Sequence, residues 1–304
     1  MLPEFYKVVK KALLILVLFV VLDILFGLLY KSFYMNQGPS RFNKMIYGDK
    51  GGNKEQIIIL GNSRAEHHYN SEMIATKTGK TVYNYGSDGQ SMFFNYAVLR
   101  KLLDTYTPEK VIYEVSMEEF ELSNSSYDRL LYFLPMKNKY ADDILKKHAS
   151  SFKLFISKLF NAYKYNSSAF IVLKSYLAPK KYLSGYQPLS NNVNRDFYNE
   201  YKSTTFDFTD DEVLDSMKIH CFDEILKLSK EYNFDIDFFI SPTLFQTKND
   251  KLFTTVDNCL SKYNYTLNNF MNDTAYNVSY FADAIHLNKE GAKLYTEQVL
   301  KIME

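Results

Sequence analysis

The chain begins with a long apolar segment, which constrains its fold more than any other feature. Residues 12–30 read ALLILVLFVVLDILFGLLY. At about 1.5 Å per residue, a helix of this length crosses a hydrocarbon core of about 30 Å. A cleaved signal peptide is the alternative, but the apolar stretch is longer than a signal peptide needs and no small-x-small cleavage site follows it. The segment therefore predicts an N-terminal transmembrane helix.

Charged residues beside and within this segment bear on its orientation. Lys7, Lys10 and Lys11 precede it, and Lys31, Arg41 and Lys44 follow it. The first group favours a cytoplasmic N-terminus, although the charge difference between the two sides is small. Asp23 lies inside the segment, where a lone carboxyl group is costly. We expect Asp23 to be protonated, paired with another helix, or placed toward one membrane interface.

The rest of the 304-residue chain is long enough for one globular domain. Its formal net charge of +1 argues against a general nucleic-acid binder, because neutralising phosphates requires a basic surface. Cys221 and Cys259 lie outside any CxxC pair, a pattern that favours neither a zinc site nor a thioredoxin-like motif. Two buried free thiols are favoured over one disulfide.

Strand-like and helix-like segments alternate after a polar linker at residues 32–55. The strand-like segments are QIIILGNS, TVYNYG, KVIYEVS and DIDFFISP, and helical apolar spacing occurs at 65–78, 91–106, 213–232 and 289–302. Strands separated by helices imply an α/β fold with a parallel sheet covered by helices on both faces. We therefore predict an anchor at 1–31 and one α/β domain at 56–304, soluble when the chain starts near residue 45.

Residues 117–212 interrupt this alternation after the third strand-like segment. They contain amphipathic helical stretches near 140–163 and 167–178, followed by a polar, aromatic loop region. Ligands in open α/β sheets bind at the carboxyl ends of the strands, and an insertion that leaves this edge is well placed to form a substrate cap. A packing subdomain is the equal alternative for this mainly helical insertion.

Ser63 is the strongest single candidate for a catalytic residue. It lies in IIILGNSRA, directly after a buried strand and before a helix. This position predicts a hydroxyl at the carboxyl edge of the sheet, where backbone N–H groups can stabilise an oxyanion. A serine at a strand-to-helix junction can also serve simply as the helix N-cap.

A second candidate pair lies near the C-terminus, in YFADAIHLNKEG. Asp283 and His286 are three residues apart, just before the last predicted helix, and a turn can place both side chains on one side. The carboxylate would then fix the imidazole tautomer, and the imidazole would accept a serine proton as a general base. Taken alone, an Asp-x-x-His pair is more often structural than catalytic.

Together these segments resemble the SGNH (GDSL-like) hydrolase family. The family's first block appears as Gly61-Asn62-Ser63, and its last block as Asp283-Ala284-Ile285-His286-Leu287-Asn288. The resemblance implies an SGNH-type, flavodoxin-like parallel sheet and a Ser63–His286–Asp283 triad. It also implies an oxyanion donor at Gly86, in the second block NYGSDGQS, and chemistry that needs no metal or organic cofactor.

The chain departs from this family in two blocks. Asn62 replaces the usual Asp of the first block, and the third strand-like segment ends in YEVSMEE, without the Asn that donates to the oxyanion. Ser116 or Asn84 is the candidate substitute donor. Arg64 is a candidate for binding a substrate carboxylate or phosphate, with a structural salt bridge as the alternative. One of His67 and His68, with His67 as the choice, is a candidate pocket residue; the alternative is a polar helix face or a hydrogen-bonded core histidine.

The variant GNSRAEHHY followed by a YNYGSDGQ-type block is similar to membrane-anchored SGNH proteins of bacterial envelope gene clusters. This resemblance implies a serine esterase or O-acyltransferase that acts on acyl esters of an envelope polysaccharide. It further implies a single-pass anchor in the cytoplasmic membrane, an extracytoplasmic domain, and a membrane-embedded acyl-transporting protein as a partner. The alternative is a catalytically degenerate scaffold that binds glycans or assists assembly.

Overall fold

The computed structural model describes residues 2–36, 44, 47, 53–116, 118–131, 138–148, 151–177, 183–208 and 213–303. Its strands are β1 Ile57–Leu60, β2 Val82–Asn84, β3 Lys110–Glu114, β4 Thr205–Asp207, β5 Asp235–Ile240, β6 Gln246–Lys248 and β7 Leu267–Asn269. Five of these strands form a parallel sheet in the order β2-β1-β3-β5-β7. Numbered within the sheet, this is the 2-1-3-4-5 order of doubly wound sheets. The predicted α/β class with a central parallel sheet is confirmed.

Helices flank the sheet and fill the insertion. They are α1 Leu2–Asn36, α2 Ser63–His68, α3 Ser71–Thr78, α4 Met92–Leu103, α5 Asn124–Arg129, α6 Lys139–His148, α7 Ser151–Leu159, α8 Asn161–Leu177, α9 Arg195–Tyr201, α10 Ser216–Tyr232, α11 Asp250–Ser261 and α12 Lys289–Met303. The predicted helix at 65–78 is divided into α2 and α3. Asn70 caps α3 by accepting a hydrogen bond from Met73 N–H at 3.1 Å.

The sheet separates two hydrophobic cores, as the period-two geometry of a strand requires. Ile58 and Leu60 of β1 face a core shared with α4, α10 and α11. Ile57 and Ile59 face the opposite core, which α12 covers. Every residue of β1 is buried, which explains why this central strand reads as a continuous apolar run. Cys221 and Cys259 are buried free thiols in the first core, as predicted.

Helix α1 is long and apolar enough to cross a membrane, with a mean hydropathy of 3.1 in its most apolar window. It continues to Asn36, beyond the predicted end at residue 31. Its C-terminal part packs on the domain, since Tyr30 and Tyr34 are buried in the first core. Asp23 accepts hydrogen bonds from Asn161 N–H at 2.9 Å and Ala162 N–H at 2.7 Å, so its partner is the N-terminus of α8 in the same chain.

The predicted linker at 32–55 lies mostly outside the described residues. Two of its described residues dock on the domain. Lys44 is 1% exposed and lies 3.0 Å from Glu66. Tyr47 stacks on Tyr83 with 4.3 Å between the ring centroids. At these two points the chain between α1 and β1 therefore belongs to the domain and does not act as a free spacer.

The described parts of the 117–212 insertion divide between the two roles left open by the sequence. Helix α6 packs on α4, and α8 packs on α1, which is the packing role. Strand β4 instead pairs with β6, in parallel, beyond the carboxyl edge of the sheet. Residues of β4 and α5 line the cavity beside Ser63, which is the position expected for a cap.

Candidate functional site: a Ser–His–Asp relay at the sheet edge

Ser63 is placed by the tight connection between β1 and α2. Gly61 adopts a φ of +144°, and a Cβ there would lie 2.7 Å from the Ala65 Cβ and 2.9 Å from the Glu114 Cβ, so only glycine fits. The N-cap of α2 is Asn62, whose Oδ1 accepts a hydrogen bond from Arg64 N–H at 2.9 Å. Ser63 is thus not needed as the cap, and its hydroxyl is available at the β1/β3 switch point, where doubly wound sheets bind ligands.

His286 and Asp283 reach Ser63 from the loop before α12. Nε2 of His286 lies 2.8 Å from Ser63 Oγ, and Nδ1 lies 2.9 Å from Asp283 Oδ2. Asp283 Oδ1 accepts two backbone hydrogen bonds, from Ile285 and His286, each at 2.9 Å. The hydrogen-bonding geometry predicted for these three residues is confirmed.

The electrostatics of the pair favour an ionised carboxylate. Partial burial of Asp283 opposes ionisation, but the hydrogen bond and charge of His286, with the two backbone N–H groups, lower the pKa of Asp283. An ionised Asp283 can only accept at His286 Nδ1, so this nitrogen carries the proton. Nε2 is then the basic nitrogen facing Ser63.

A second histidine, His68, holds the segment that carries His286. Its Nε2 lies 2.9 Å from Leu287 N–H and must accept that hydrogen bond, so its Nδ1 carries the proton and donates to Ser241 Oγ at 2.7 Å. Ser241 Oγ in turn donates to Glu114 Oε1 at 2.6 Å. His68 is therefore neutral, in keeping with a pKa that burial and the nearby Arg64 charge lower well below its usual value.

The sequence offered His67 or His68 as a pocket residue, with His67 as the choice, and did not predict the supporting contact that His68 makes. His67 lies outside the set of residues that line the cavity at Ser63. Its Nδ1 lies 2.7 Å from the Gln187 carbonyl and its Nε2 lies 2.9 Å from Asp88. Both partners are acceptors, so both nitrogens are protonated; burial opposes the charge, but Asp88 and Glu66 raise the pKa of His67. The prediction that His67 lines the pocket is wrong because its ring bridges two loops.

Arg64 has mainly a structural environment. It is 2% exposed, its Nε lies 3.2 Å from Glu114, and its Nη2 donates to the Ser241 carbonyl. This fits the salt-bridge alternative. Its Nη1 has no hydrogen-bond partner among the described residues, and Arg64 contributes to the cavity wall.

Two of the predicted oxyanion donors are occupied elsewhere. Gly86 N–H donates to Asn84 Oδ1 at 2.9 Å, and Asn84 Nδ2 donates to the carbonyls of Ala65 and Tyr69. Glycine is required at 86 because a Cβ would lie 2.5 Å from Glu66 N. Asn84 and Gly86 therefore fasten the β2 loop to α2, which corrects their assignment as oxyanion donors.

The same loop offers other donors three residues further on. Gly89 and Gln90 line the cavity together with Ser63. Among the described residues, the N–H groups of Ser63 and Gly89 have no acceptor, and Gln90 Nε2 is buried without a partner. Ser116, the third predicted donor, does line the cavity, but its N–H donates to Glu119 Oε2 at 2.9 Å.

The cavity beside Ser63 has a volume of about 400 Å³ and an aromatic wall. Phe206 of β4, Phe208 and Phe245 form this wall. A polar cavity of about 240 Å³ adjoins it. The residues lining both are Asn62, Gln90, Ser116, Glu118 and Arg129, and the polar cavity adds Ser91, Glu121, Ser123, Ser125, Ser126 and Lys218. The nucleophile candidate therefore lines the chamber with the aromatic wall, and a hydroxyl-rich chamber adjoins it.

Comparison with known proteins gives one family. A family model described as a protein of unknown function (DUF1574) matches residues 13–302, a range that includes α1 from residue 13 onward, the insertion and the site. No curated protein matches the chain.

Proposed function

The chain belongs to the DUF1574 family, and from its site we propose that it is an SGNH-type serine esterase or O-acyltransferase acting on acyl esters of a cell-envelope polysaccharide. The observation that carries this proposal is the unbroken hydrogen-bonded relay from Asp283 through His286 to Ser63, with links of 2.9 and 2.8 Å. The relay ends at a cavity. A scaffold that only binds glycans has no need of this arrangement.

In the proposed reaction, Ser63 Oγ attacks the acyl carbonyl while His286 Nε2 accepts the serine proton. Asp283 keeps Nδ1 protonated and stabilises the imidazolium. When the tetrahedral intermediate collapses, the ester C–O bond breaks, and His286 gives its proton to the leaving alcohol. Water or a sugar hydroxyl then repeats the sequence in reverse, which releases an acid or a new ester and restores Ser63.

The oxyanion is stabilised in this proposal by Ser63 N–H, Gly89 N–H and the Gln90 side-chain amide. Each of these donors belongs to a residue that lines the cavity and has no acceptor among the described residues. Gln90 then takes the place of the Asn that the third strand lacks, and Gly89 takes the place of Gly86. A single donor of this kind is worth about 10²–10³ in rate, so the assignment of Gln90 bears directly on whether the enzyme turns over.

The two chambers support a reaction with an acyl group and a polyhydroxylated partner. Phe206, Phe208 and Phe245 provide an apolar surface against which an acyl group can lie. The polar chamber offers serine hydroxyls, together with Arg129 and Lys218, to sugar hydroxyl groups. Both chambers meet at Gln90, beside the nucleophile. This favours a glycan ester over a bulk lipid as the substrate.

We also propose the cellular setting that the envelope resemblance implies. Helix α1 anchors the protein in the bacterial cytoplasmic membrane as a single span, and the domain lies outside the cytoplasm. An acyl-transporting membrane protein would then supply the acyl group if the reaction is a transfer. The length and hydropathy of α1 support the anchor, and the orientation can be tested with reporter fusions at both termini.

A fluorophosphonate probe tests the activated serine in the full-length protein. Labelling should occur at Ser63, be abolished in Ser63→Ala, fall severely in His286→Ala and fall less in Asp283→Ala, because the orienting carboxylate commonly contributes less than the base. Ser203→Ala, at an exposed serine of the insertion, is the control and should label like wild type. Ser63→Ala should remain folded, since Asn62 is the cap.

The deciding experiment is made in cells. Ester-linked acyl groups on surface glycans are compared between wild type, a deletion strain, and deletion strains that carry wild-type or Ser63→Ala protein. Only the wild-type protein should restore the wild-type acylation level. Full rescue by Ser63→Ala at equal protein level would refute the enzymatic proposal and support the scaffold alternative.

A further inference from the structure

Helices α7 and α8 form a hairpin that packs along α1. The turn between them, at Phe160, contacts Phe19 with 5.9 Å between the ring centroids. Farther along, Tyr165 stacks on Tyr30 at 4.1 Å, and Tyr176 packs on Phe33 at 5.0 Å. The contacts progress in the same direction along both helices, so α8 runs parallel to α1 and the hairpin turn lies beside the apolar run of α1.

The outer surface of this hairpin is apolar and exposed. Phe152, Phe155 and Leu159 of α7 are 74%, 60% and 55% exposed, and Phe170, Leu173 and Leu177 of α8 are 75%, 40% and 71% exposed. Soluble proteins rarely leave so many large apolar side chains together in water, and such patches mark interaction or membrane surfaces.

This surface continues that of α1, and the continuity points to one occupant. Leu18, Leu22 and Leu25 of α1 are at least half exposed and lie in the apolar run that is long enough to cross a membrane. Asp23 bonds to the first residues of α8. Along the helix axis, Asp23 lies about 10 Å before Tyr30, the last residue of the apolar run, at 1.5 Å per residue. Interfacial helices lie about 5–10 Å deep in a bilayer.

Lysines accompany the apolar residues of the hairpin. Lys158 and Lys174 are exposed, and Lys164 lies over the Tyr165 ring at 5.1 Å. Long cationic side chains can extend from apolar surroundings toward the lipid headgroups, where anionic lipids attract them. A membrane-protein partner would cover the apolar side chains but would not by itself explain the lysines among them.

We propose that α7 and α8 form a second membrane contact, which inserts as a hairpin into the leaflet at the C-terminal end of the α1 span and favours anionic phospholipid. The domain is then fixed to the membrane at two adjacent elements and cannot rotate freely about α1. This proposal concerns the lipid surface and does not depend on the proposed reaction.

Nitroxide labels on the full-length protein in vesicles test this contact. Phe155→Cys and Phe170→Cys report on the hairpin, Leu18→Cys on the span, and Lys301→Cys on α12, across the sheet from α1. Cys221 and Cys259 are buried, and unsubstituted protein controls for their labelling. In vesicles containing phosphatidylglycerol, labels at 155 and 170 should collide more with oxygen than with a water-soluble nickel chelate. The label at 18 should show the same preference, and the label at 301 should show the opposite one.

Three results would overturn the proposal. Nickel accessibility at 155 and 170 equal to that at 301 would place the hairpin in water, and protection from both reagents would place it against protein. Replacement of phosphatidylglycerol by phosphatidylcholine should make the label at 155 shallower while leaving the label at 18 unchanged. Equal depth at 155 in both lipids would refute the preference for anionic lipid. Thermal unfolding of each variant establishes that the labelled proteins are folded.

Discussion

In the proposed reaction, the side-chain amide of Gln90 is the oxyanion donor on which rapid turnover at Ser63 depends. Its Nε2 is buried and unpartnered among the described residues, in a wall shared with Ser63. A buried donor without an acceptor costs about 1–3 kcal/mol, so its removal should not destabilise the fold. The structure therefore holds an unpaired donor beside Ser63 that a developing oxyanion would satisfy.

Gln90→Ala should lower the acylation rate of Ser63 by about 10²–10³, and Gln90→Glu should lower it further, because a carboxylate would face the oxyanion. The rate is measured as the time course of acylation by an activated ester, with thermal unfolding as a check on the fold. Gln56→Ala, at the amino end of β1, is the matched control and should keep the wild-type rate. A wild-type rate in Gln90→Ala would remove Gln90 from the oxyanion site.

Residue-level prediction from sequence succeeded where the placement of a side chain follows from adjacent residues. Asp283 and His286 belong to one short loop, and Ser63 directly follows a recognisable strand, so the local pattern specifies their placement. Prediction failed for Gly86 and His67 because neighbouring positions on one loop or helix face different partners. Which of Gly86 and Gly89 lies at the cavity beside Ser63 depends on loop packing. His67 and His68 are both buried, and which of them supports the His286 segment depends on the elements packed around each ring.

At the scale of helices and strands, the long apolar strands were predictable and the short polar ones were not. Strands β1, β3 and β5 are apolar runs between turn residues. Strand β7 reads LNN, and β4 and β6 read TFD and QTK; these strands exist because a neighbouring strand supplies hydrogen-bond partners. The cap-forming position of β4 could not be predicted for the same reason, since it depends on pairing with β6.

The contact between Asp23 and the first turn of α8 cannot be read from hydropathy, which treats Asp23 only as a polar residue in an apolar helix. Asp23→Leu makes α1 more apolar, yet it leaves the N–H groups of Asn161 and Ala162 without their acceptor. The loss should be about 0.5–2 kcal/mol if the carboxylate acts as a helix cap, and greater if lipid surrounds the site. Thermal unfolding in detergent and hydrogen exchange in α8 measure the effect.

Asp257→Leu is the control for this comparison, because Asp257 is exposed in α11 and the same side-chain change is made far from α1. Its unfolding temperature and the protection of α8 should match wild type. Asp23→Asn keeps one carbonyl acceptor and should lie between wild type and Asp23→Leu. An Asp23→Leu protein as stable as wild type would show that α8 does not need this cap.

For the whole molecule, the structure revises the expectation that the domain is soluble and independent when the chain starts near residue 45. Such a cut removes Tyr30 and Tyr34, which are 4% and 0% exposed and belong to the first core. It also removes Lys44, whose Nζ lies 3.0 Å from the fully buried Glu66 and donates to the Gly86 carbonyl. Tyr30 and Tyr34 are therefore part of the domain in packing, and Lys44 in charge.

Lys44→Met tests this unity within the full-length chain. Methionine retains much of the buried volume but leaves the Glu66 carboxylate without its cation, and breaking a buried pair costs about 3–5 kcal/mol. Unfolding in detergent should show a loss of this order, and fluorophosphonate labelling of Ser63 should fall, because Glu66 also accepts the Asp88 N–H beside Gly89. Adding Glu66→Gln to Lys44→Met should restore part of the stability, since the unpaired charge is removed.

Lys80→Met, in a pair that is 40% and 50% exposed, is the matched control and should cost at most about 1 kcal/mol. If Lys44→Met proves no more destabilising than Lys80→Met, and a chain starting at residue 45 unfolds like the full-length protein, the domain is separable from its anchor as the sequence suggested.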